Sequence, residues 1–123
     1  LASVGLSEAA ACSRGVGHEV LRWPLADNDR ARAERTTAGL IKVVVGGRGR
    51  ILGAAIVGAH AGELILPWVL AVQQRMKLGA MVALVAPYPT LGEVGKRVAG
   101  TYYARHLFGD RMRWLVRLLA RLG

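Results

Sequence analysis

The pattern of apolar and polar positions at the start of the chain predicts a strand followed by a short helix. Residues 1–6 (LASVGL) have the apolar character of a buried strand. Ser7 can cap a helix over 8–14, which is followed by Gly15, the residue type at which helices commonly end. A chain that begins inside a structural element is expected to come from a longer protein.

A β-hairpin is the clearest pattern in the middle of the chain. Residues 18–25 (HEVLRWPL) alternate as a strand does, with Pro24 at an edge or an end. The polar residues 26–35 are expected to be exposed. The apolar runs AGLIKVVV and ILGAAIVG then flank GGRGR, which predicts two antiparallel strands. Because these glycines join two strands, they do not form a dinucleotide-binding loop, which requires a following helix.

The apolar stretch 51–72 has the length of a membrane-spanning helix, but its residues argue against one. It contains Glu63, whose burial in lipid would be costly, together with His60 and Pro67. Its first half is also the second strand of the hairpin. We therefore predict a buried strand that runs into a buried helix over about 61–78. That helix is apolar on most of its circumference, which predicts that another subunit covers part of it.

The sequence APYPTLGE, residues 86–93, places a tyrosine between two prolines, directly before a helix predicted over 91–108. Thr90 and Glu93 have the spacing of a capping box, in which each side chain accepts a hydrogen bond from the other residue's amide. Tyr88 then has two interpretations. It is either a ring held at a helix entrance for structural reasons, or a phenol that the prolines hold out for chemistry.

The last predicted helix, which begins at Asp110, is amphipathic and basic. Arginines recur every four residues, at Arg113, Arg117 and Arg121. The aliphatic residues lie mainly on other faces of the helix; they are Leu115, Val116, Leu119 and Leu122. The pattern is compatible with a solvated face over a core-facing stripe or with contact to a membrane surface. A third interpretation, nucleic-acid binding, has little support beyond charge, and no nucleic-acid partner is expected.

Composition describes one packed domain with a basic tail. The 123 residues are 53% hydrophobic and 20% charged, and the net charge is +9. From Lys96 onward, seven Lys or Arg residues stand against one acidic residue, Asp110, so the charge excess is concentrated there. No signal-peptide pattern is visible, and a cytoplasmic location is therefore expected, with membrane association through the basic helix as an addition.

The cysteine and histidine content excludes two classes of site. The lone Cys12 cannot form an internal disulfide or a multi-cysteine metal site, and in a short helix it is expected to be a small apolar filler. The three histidines (His18, His60 and His106) are scattered without metal-ligand spacing. No metal site is expected.

The segments ASVGLSEAAA, TTAGLIKVVV, ILGAAIVGAHAGELI and YPTLGE occur in a fixed order over about residues 2–100. In that order they resemble the carboxy-terminal dimerisation domain of FAD-dependent pyridine nucleotide-disulfide oxidoreductases. This family includes dihydrolipoamide dehydrogenase, glutathione reductase and mercuric reductase. The resemblance implies an α+β fold, an antiparallel sheet with packed helices, and this domain is expected to span 1–109. The basic amphipathic helix at 110–123 follows it and lies outside the resemblance.

The same resemblance implies a homodimer with a shared active site. In the family's disulfide reductases, an H-P-T-x-x-E loop brings a histidine and a glutamate to the partner subunit's active site. The histidine is the acid-base group beside the flavin and the dithiol, and the glutamate orients it. Pro89, Thr90 and Glu93 match this loop, and Tyr88 stands at the histidine position. Tyr88 and Glu93 are therefore the candidate catalytic residues, and Pro89 is a candidate to approach the partner's flavin.

The exchange of histidine for tyrosine changes the chemistry. A tyrosine, with a pKa of about 10, does not act as a base at neutral pH, but it can donate a hydrogen bond, or protonate a leaving thiolate if its pKa is lowered. A tyrosine in this loop also resembles mercuric reductase, in which it is implicated in handling the metal. That enzyme ends in a vicinal cysteine pair, whereas this chain ends in RLLARLG.

The implied function is the interface domain of a mercuric-reductase-like flavoenzyme. FAD and NAD(P) would be held by upstream domains of the parent protein, and this fragment is expected to be inactive alone and to bind neither cofactor. The alternative is a non-catalytic interaction or membrane-surface anchoring module that acts through the basic helix.

Overall fold

Four antiparallel strands form one sheet. The computed structural model describes residues 1–122, without the side chains of Asp110, Arg121 and Leu122. The strands are β1 (Ala2–Gly5), β2 (Glu19–Pro24), β3 (Leu40–Val45) and β4 (Ile51–Val57). Their spatial order is β1-β4-β3-β2.

Helices follow the first strand and the hairpin, as predicted, and one further helix, α2, lies between β2 and β3 where none was predicted. They are α1 (Glu8–Ser13), α2 (Asp29–Glu34), α3 (Ala61–Leu64), α4 (Leu66–Gln73), α5 (Leu78–Ala83), α6 (Glu93–Leu107) and α7 (Asp110–Leu122). Ser7 caps α1 as predicted, because its hydroxyl accepts a hydrogen bond from the Ala10 amide at 3.1 Å. The α+β class is confirmed.

The central hairpin is confirmed, and the two outer strands differ in how well they were predicted. β3 pairs with β4 from Leu40 to Val45, with an irregularity between Val44 and Val45. β2 is an edge strand that ends at Pro24, as the proline indicated. The prediction that β1 is a buried strand is wrong. β1 lies at the other edge, and its side chains alternate between half-buried and exposed.

The prediction of a single helix over about 61–78 is also wrong, because the chain forms two helices there, α3 and α4, and a third, α5, begins only at Leu78. α4 ends in a Schellman motif: the Met76 amide donates to the Ala71 carbonyl at 2.8 Å, and the Arg75 amide donates to the Val72 carbonyl at 3.2 Å. Arg75 takes the left-handed conformation, φ 52°, that glycine usually supplies at this position. Apolar periodicity runs through this turn because α5 begins directly afterwards with buried Leu78.

The core lies between the sheet and helices α4, α5 and α6. α4 packs against β1 and β4, α6 packs against β2 and β3, and α5 packs against α6. Trp68 on α4 is 1% exposed. Gly95 on α6 faces its indole, and a Cβ there would lie 3.5 Å from Trp68 Nε1. The other large core side chains are Leu21, Leu25, Ile41, Val43, Val45, Ile51, Ile56, Leu78, Val94 and Val98.

Cys12 does not fill an apolar gap, contrary to the prediction. α1 has fewer than two turns and buries one residue, Ala11, while Cys12 next to it is exposed. Its Sγ lies 3.7 Å from His18 Nε2, and His18 Nδ1 lies 2.7 Å from the Val16 carbonyl oxygen. The thiol is therefore at the surface of the domain.

α7 is present as predicted but does not pack its apolar residues into the core of the chain. Met112, Leu115, Val116, Leu118 and Leu119 are all exposed. The interpretation of α7 as an ordinary helix with a core-facing stripe is therefore wrong for this chain. The part of the prediction that concerns Arg121 and Leu122 lies outside the described side chains. None of the helices within residues 1–122 is both long enough and apolar enough to cross a membrane.

One glycine of the hairpin has a packing role that can be tested. A Cβ at Gly53 would collide with the Leu6 backbone, whose amide donates to the Leu52 carbonyl at 2.9 Å. We expect Gly53→Ala to lower the free energy of unfolding by about 1–3 kcal/mol, because the β1–β4 pair must separate to admit the methyl group. Urea denaturation of the purified chain measures this loss.

Gly62→Ala is the matched control for Gly53→Ala. Gly62 lies in α3, where an added Cβ meets no heavy atom within 4 Å. We expect this change to be neutral or to stabilise by up to about 1 kcal/mol, because alanine has less freedom than glycine in the unfolded chain. Equal losses for the two variants would contradict the collision at Leu6.

Candidate functional site

The candidate site is the loop over 84–92, named here the Tyr88 loop, which connects α5 to α6. The Tyr88–Pro89 peptide bond in it is cis. The Thr90 hydroxyl donates to the Pro87 carbonyl at 2.6 Å, and the Thr90 amide donates to Glu93 Oε2 at 3.5 Å. The hydrogen bonds of the loop therefore join its prolines to the first turn of α6.

The capping box predicted for Thr90 and Glu93 is only half present. Its carboxylate half forms, at the long distance just given, but the Thr90 hydroxyl bonds the Pro87 carbonyl and not the Glu93 amide. The reason is that α6 begins at Glu93 with Gly92 as its cap residue, two positions later than predicted. The turn at Leu91 and Gly92 separates Thr90 from the first free amides of the helix.

Tyr88 projects from this loop toward the solvent. Its side chain is 69% exposed, and its hydroxyl donates to Asp29 Oδ2 at 2.9 Å. The hydrogen bond to Asp29 raises the pKa of the Tyr88 phenol above its ordinary value of about 10, because the neutral phenol is the form that donates. Tyr88 is therefore a protonated hydrogen-bond donor at neutral pH.

The side chain of Asn28 is hydrogen-bonded to the backbone of the same loop. It is buried, with 4% exposure, and its Nδ2 donates to the Thr90 carbonyl at 3.1 Å. Its Oδ1 accepts from the Ala31 amide at 2.9 Å and so caps α2. One side chain thus joins the start of α2 to the Tyr88 loop, and the next residue, Asp29, holds the phenol.

Sequence reasoning missed this support, because it treated residues 26–35 as an exposed polar stretch. That prediction is wrong for Asn28 and Ala31, which are both buried. The helix cap could have been found, since Asn is a preferred residue before a helix start. The hydrogen bond from Asn28 to Thr90 spans 62 positions of the chain, and no local pattern reports it.

Glu93 lies near Tyr88 in the chain but accepts its hydrogen bond from another residue. Its carboxylate meets the Thr90 amide and borders an open cleft of about 530 Å³ that is also lined by Trp23, Lys96 and Arg97. Among the described side chains, no hydrogen bond joins Glu93 to Tyr88. The residue that holds the phenol hydroxyl is Asp29.

Pro89 and the histidines complete the set of sequence candidates. Pro89 borders a second groove of about 380 Å³, together with His60 and Glu63. His106 lies beside Glu19, with its Nε2 3.3 Å from the carboxylate. Within the described residues, no three His, Cys, Asp or Glu side chains come close enough together to hold a metal ion.

The fold and the matched residues define a class of protein. Residues 1–99 match the family described as the pyridine nucleotide-disulphide oxidoreductase dimerisation domain, and the chain belongs to this family. The relationship proposed from the sequence motifs is thereby confirmed. The match ends inside α6 and does not include α7.

Individual relatives agree with this assignment. The chain is 38% identical over 103 residues to the mercuric reductase of Serratia marcescens, covering 83% of this chain and 22% of that protein. It is 35% identical over 99 residues to the dihydrolipoyl dehydrogenase of Geobacillus stearothermophilus, covering 80% and 21%. The chain therefore spans about a fifth of the length of the curated relatives it matches.

Solved structures share the fold. The crystal structure of LpdA from Mycobacterium tuberculosis superposes with a TM-score of 0.76 at 28% identity, covering 81% of this chain and 22% of that one. The HOCl-induced flavoprotein disulfide reductase RclA from Escherichia coli gives a TM-score of 0.75 at 23% identity, covering 80% and 23%. At that identity the second similarity supports the fold alone.

The hydrogen bond between Tyr88 and Asp29 can be tested through the titration of Tyr88. The stabilisation it gives is fully present below the ordinary tyrosine pKa and is lost as the pH rises through the raised pKa of Tyr88. In Asp29→Ala we expect the pKa of Tyr88 to fall toward its ordinary value, because the acceptor is gone. Tyrosinate absorbance, with the Tyr88→Phe curve subtracted, measures the change.

Asp27→Ala is the control for this titration. Asp27 is a neighbouring exposed carboxylate that lies 3.6 Å from Arg32 and makes no hydrogen bond to Tyr88. We expect it to leave the pKa of Tyr88 nearly unchanged. An equal fall in both variants would show a general effect of charge and would contradict a specific bond.

Proposed function

We propose that this chain is the interface domain of a flavin-dependent pyridine nucleotide-disulfide oxidoreductase, and that its Tyr88 loop completes the active site of the partner subunit. The observation that carries the proposal is the combination at Tyr88: an exposed phenol on a loop that is anchored by a buried side chain, Asn28. A ring with a purely structural role is normally packed, whereas this one is held rigidly and left accessible. FAD and NAD(P) would be bound by the other domains of the parent protein.

In this proposal the phenol acts as a donor. The raised pKa of Tyr88 keeps its proton in place at neutral pH, which suits hydrogen bonding to a substrate, whereas transfer of the proton to a leaving thiolate would need a lowered pKa. Asp29 sets the direction of the hydroxyl when the site is empty, and rotation about the C–O bond redirects the proton to a bound acceptor. Tyr88 is the proposed catalytic residue. Glu93 is assigned to the start of α6, where it bonds the Thr90 amide.

The proposed class of enzyme follows from the residue at position 88. A histidine titrates near neutrality and can both accept and donate a proton during dithiol chemistry, whereas a protonated tyrosine only donates. We therefore propose a mercuric-reductase-like enzyme, in keeping with the identity to the mercuric reductase of Serratia marcescens. Pro89 is proposed to approach the partner's flavin.

The proposed partner in the interface is a second copy of the same chain. Exposed apolar side chains lie on α4, at Leu66 and Leu70, and in the Tyr88 loop, at Leu84 and Val85. Exposed apolar surface of this kind marks interaction sites. Because the chain belongs to a dimerisation-domain family, a second copy of the chain is the proposed partner that covers this surface.

The catalytic part of the proposal is tested by Tyr88→Phe in the full-length parent enzyme. Phenylalanine keeps the ring and its apolar area but removes the hydroxyl. We expect turnover to fall by about 10² to 10⁴-fold, the usual cost of losing a positioned proton donor, with flavin content and melting temperature unchanged. Steady-state kinetics with mercuric ion and with disulfide substrates measure the effect.

Two further variants make this test specific. Tyr102→Phe removes a phenol that packs beside the His106 ring, away from the Tyr88 loop, and is expected to leave turnover unchanged. Tyr88→His restores the family residue and is expected to favour disulfide reduction over the native reaction. An unchanged rate for Tyr88→Phe with every acceptor would refute the catalytic role and leave Tyr88 as a ring held at a helix entrance for structural reasons.

The homodimer is tested by sedimentation of the parent protein with Leu66→Glu and Leu70→Glu. If α4 lies in the interface, these changes bury unpaired charges at a cost of about 3 kcal/mol or more each, and the dimer dissociates at micromolar concentration. Val116→Glu on α7, outside the family match, is the control and is expected to remain dimeric. A wild-type monomer at tens of micromolar would refute the homodimer.

A further inference from the structure

α7 presents an apolar face that no part of the described chain covers. At about 3.6 residues per turn, one side of the helix carries the aliphatic and sulfur-containing side chains, and all of them are exposed. They are Met112, Leu115, Val116, Leu118 and Leu119. Phe108, which precedes the helix and is 71% exposed, extends the same surface.

Arginines border this apolar face. Phe108, Met112 and Val116 line an open groove of about 500 Å³ that is also lined by Arg113 and Arg117. In the salt bridges of the described side chains, neither arginine pairs with an acidic residue. The sequence after residue 95 holds seven basic residues and one acidic residue. Most of one side of α7 is thus apolar, although Arg111 falls on that side, and the side that carries Arg113 and Arg117 is strongly cationic.

We propose that α7 binds the surface of an anionic lipid membrane and lies in the plane of the headgroups. In this orientation the apolar face enters the boundary between headgroups and acyl chains, about 5–10 Å deep, and the arginines contact lipid phosphates. The helix has 13 residues and is about 20 Å long, which suits a position parallel to the surface. The binding is independent of the chemistry proposed for Tyr88.

Charge favours lipid over a second copy of α7 as the occupant. Pairing two such helices through their apolar faces would bring two rows of arginines close together, with one acidic residue per helix to offset them. An anionic bilayer instead supplies the opposite charge and an apolar interior to the same face. The family match ends at residue 99 and does not include α7.

The apolar face also favours lipid over nucleic acid. Phosphate contacts to a nucleic acid would use the arginines but leave the five exposed apolar side chains of α7 in water. Only a partner with an apolar interior removes that surface from solvent.

The test is flotation of the intact parent protein with vesicles of phosphatidylcholine alone and of phosphatidylcholine with phosphatidylglycerol. We expect binding to the phosphatidylglycerol vesicles only, and weaker binding as salt is added, because salt screens the attraction. The double variant Arg113→Gln with Arg117→Gln should weaken partitioning about 25-fold, since one arginine near an anionic surface contributes about fivefold. The double variant Leu115→Ser with Leu119→Ser should abolish binding.

Matched variants separate helix binding from general charge effects. Arg14→Gln with Arg50→Gln removes two exposed arginines outside α7 and should change partitioning less than threefold, with the same loss of net charge. None of the α7 changes affects a buried residue, so melting temperature and flavin content should stay at wild-type values. A truncated parent protein that ends at Gly109 provides a second loss-of-binding variant.

Three outcomes would overturn the proposal. The first is equal or negligible binding to the two kinds of vesicle. The second is an assembly larger than the dimer that forms without lipid and is lost in the Leu115→Ser, Leu119→Ser variant, which would assign the face to a second copy. The third is vesicle binding that survives removal of α7.

Discussion

Close packing of α6 against the sheet fixes the position of the groups that matter most in this domain. α6 buries Val94, Val98 and Ala99 completely or almost completely. Gly95 of the same helix faces the indole of buried Trp68 on α4. A helix held along its whole first half has a fixed start, and the Tyr88 loop ends at that start. The rigidity of the candidate site therefore comes from the apolar core below it.

The hydrogen bonds of the site depend on this packing, and they orient the Tyr88 loop and the Tyr88 hydroxyl. Asn28 is buried and makes two hydrogen bonds, one to α2 and one to the Thr90 carbonyl. A buried amide in this position contributes because leaving its partners unsatisfied would cost about 1–3 kcal/mol each. At the surface, Asp29 accepts a hydrogen bond from the Tyr88 hydroxyl. Solvent weakens this bond, but the bond still orients the hydroxyl. A neutral phenol at a defined place is the result, and the proposed donor role follows from it.

Residues 1–99 and helix α7 differ in how their apolar side chains are covered. Over residues 1–99, the chain forms an apolar core by itself and the family match holds. In α7 the apolar residues are exposed although the helix is amphipathic, so burial must come from outside the chain. Amphipathicity predicts that a helix will have a covered face but does not identify what covers it. Here the arginines carry that information, because they select partners by charge.

Local patterns in the sequence determined much of the fold. The β3–β4 hairpin, the Ser7 cap, the edge position of β2 and the family itself were all readable, because each depends on residues close together in the chain or on short motifs. The break at Arg75 was not readable, since a left-handed arginine replaces the expected glycine and apolar periodicity continues across it. The position of β1 at an edge was equally hidden, because strand order is a property of the whole sheet.

The candidate site divides in the same way. The sequence by itself determined that a tyrosine stands between two prolines before a helix, at the histidine position of a known motif. Tertiary structure alone decided which groups surround it. Asn28 and Asp29 reach the Tyr88 loop across about 60 residues, and Glu93, the motif's own carboxylate, faces the Thr90 amide instead of the phenol. Hydrogen bonds between distant segments depend on how helices pack, and that packing is set by the whole core and not by any local stretch of sequence.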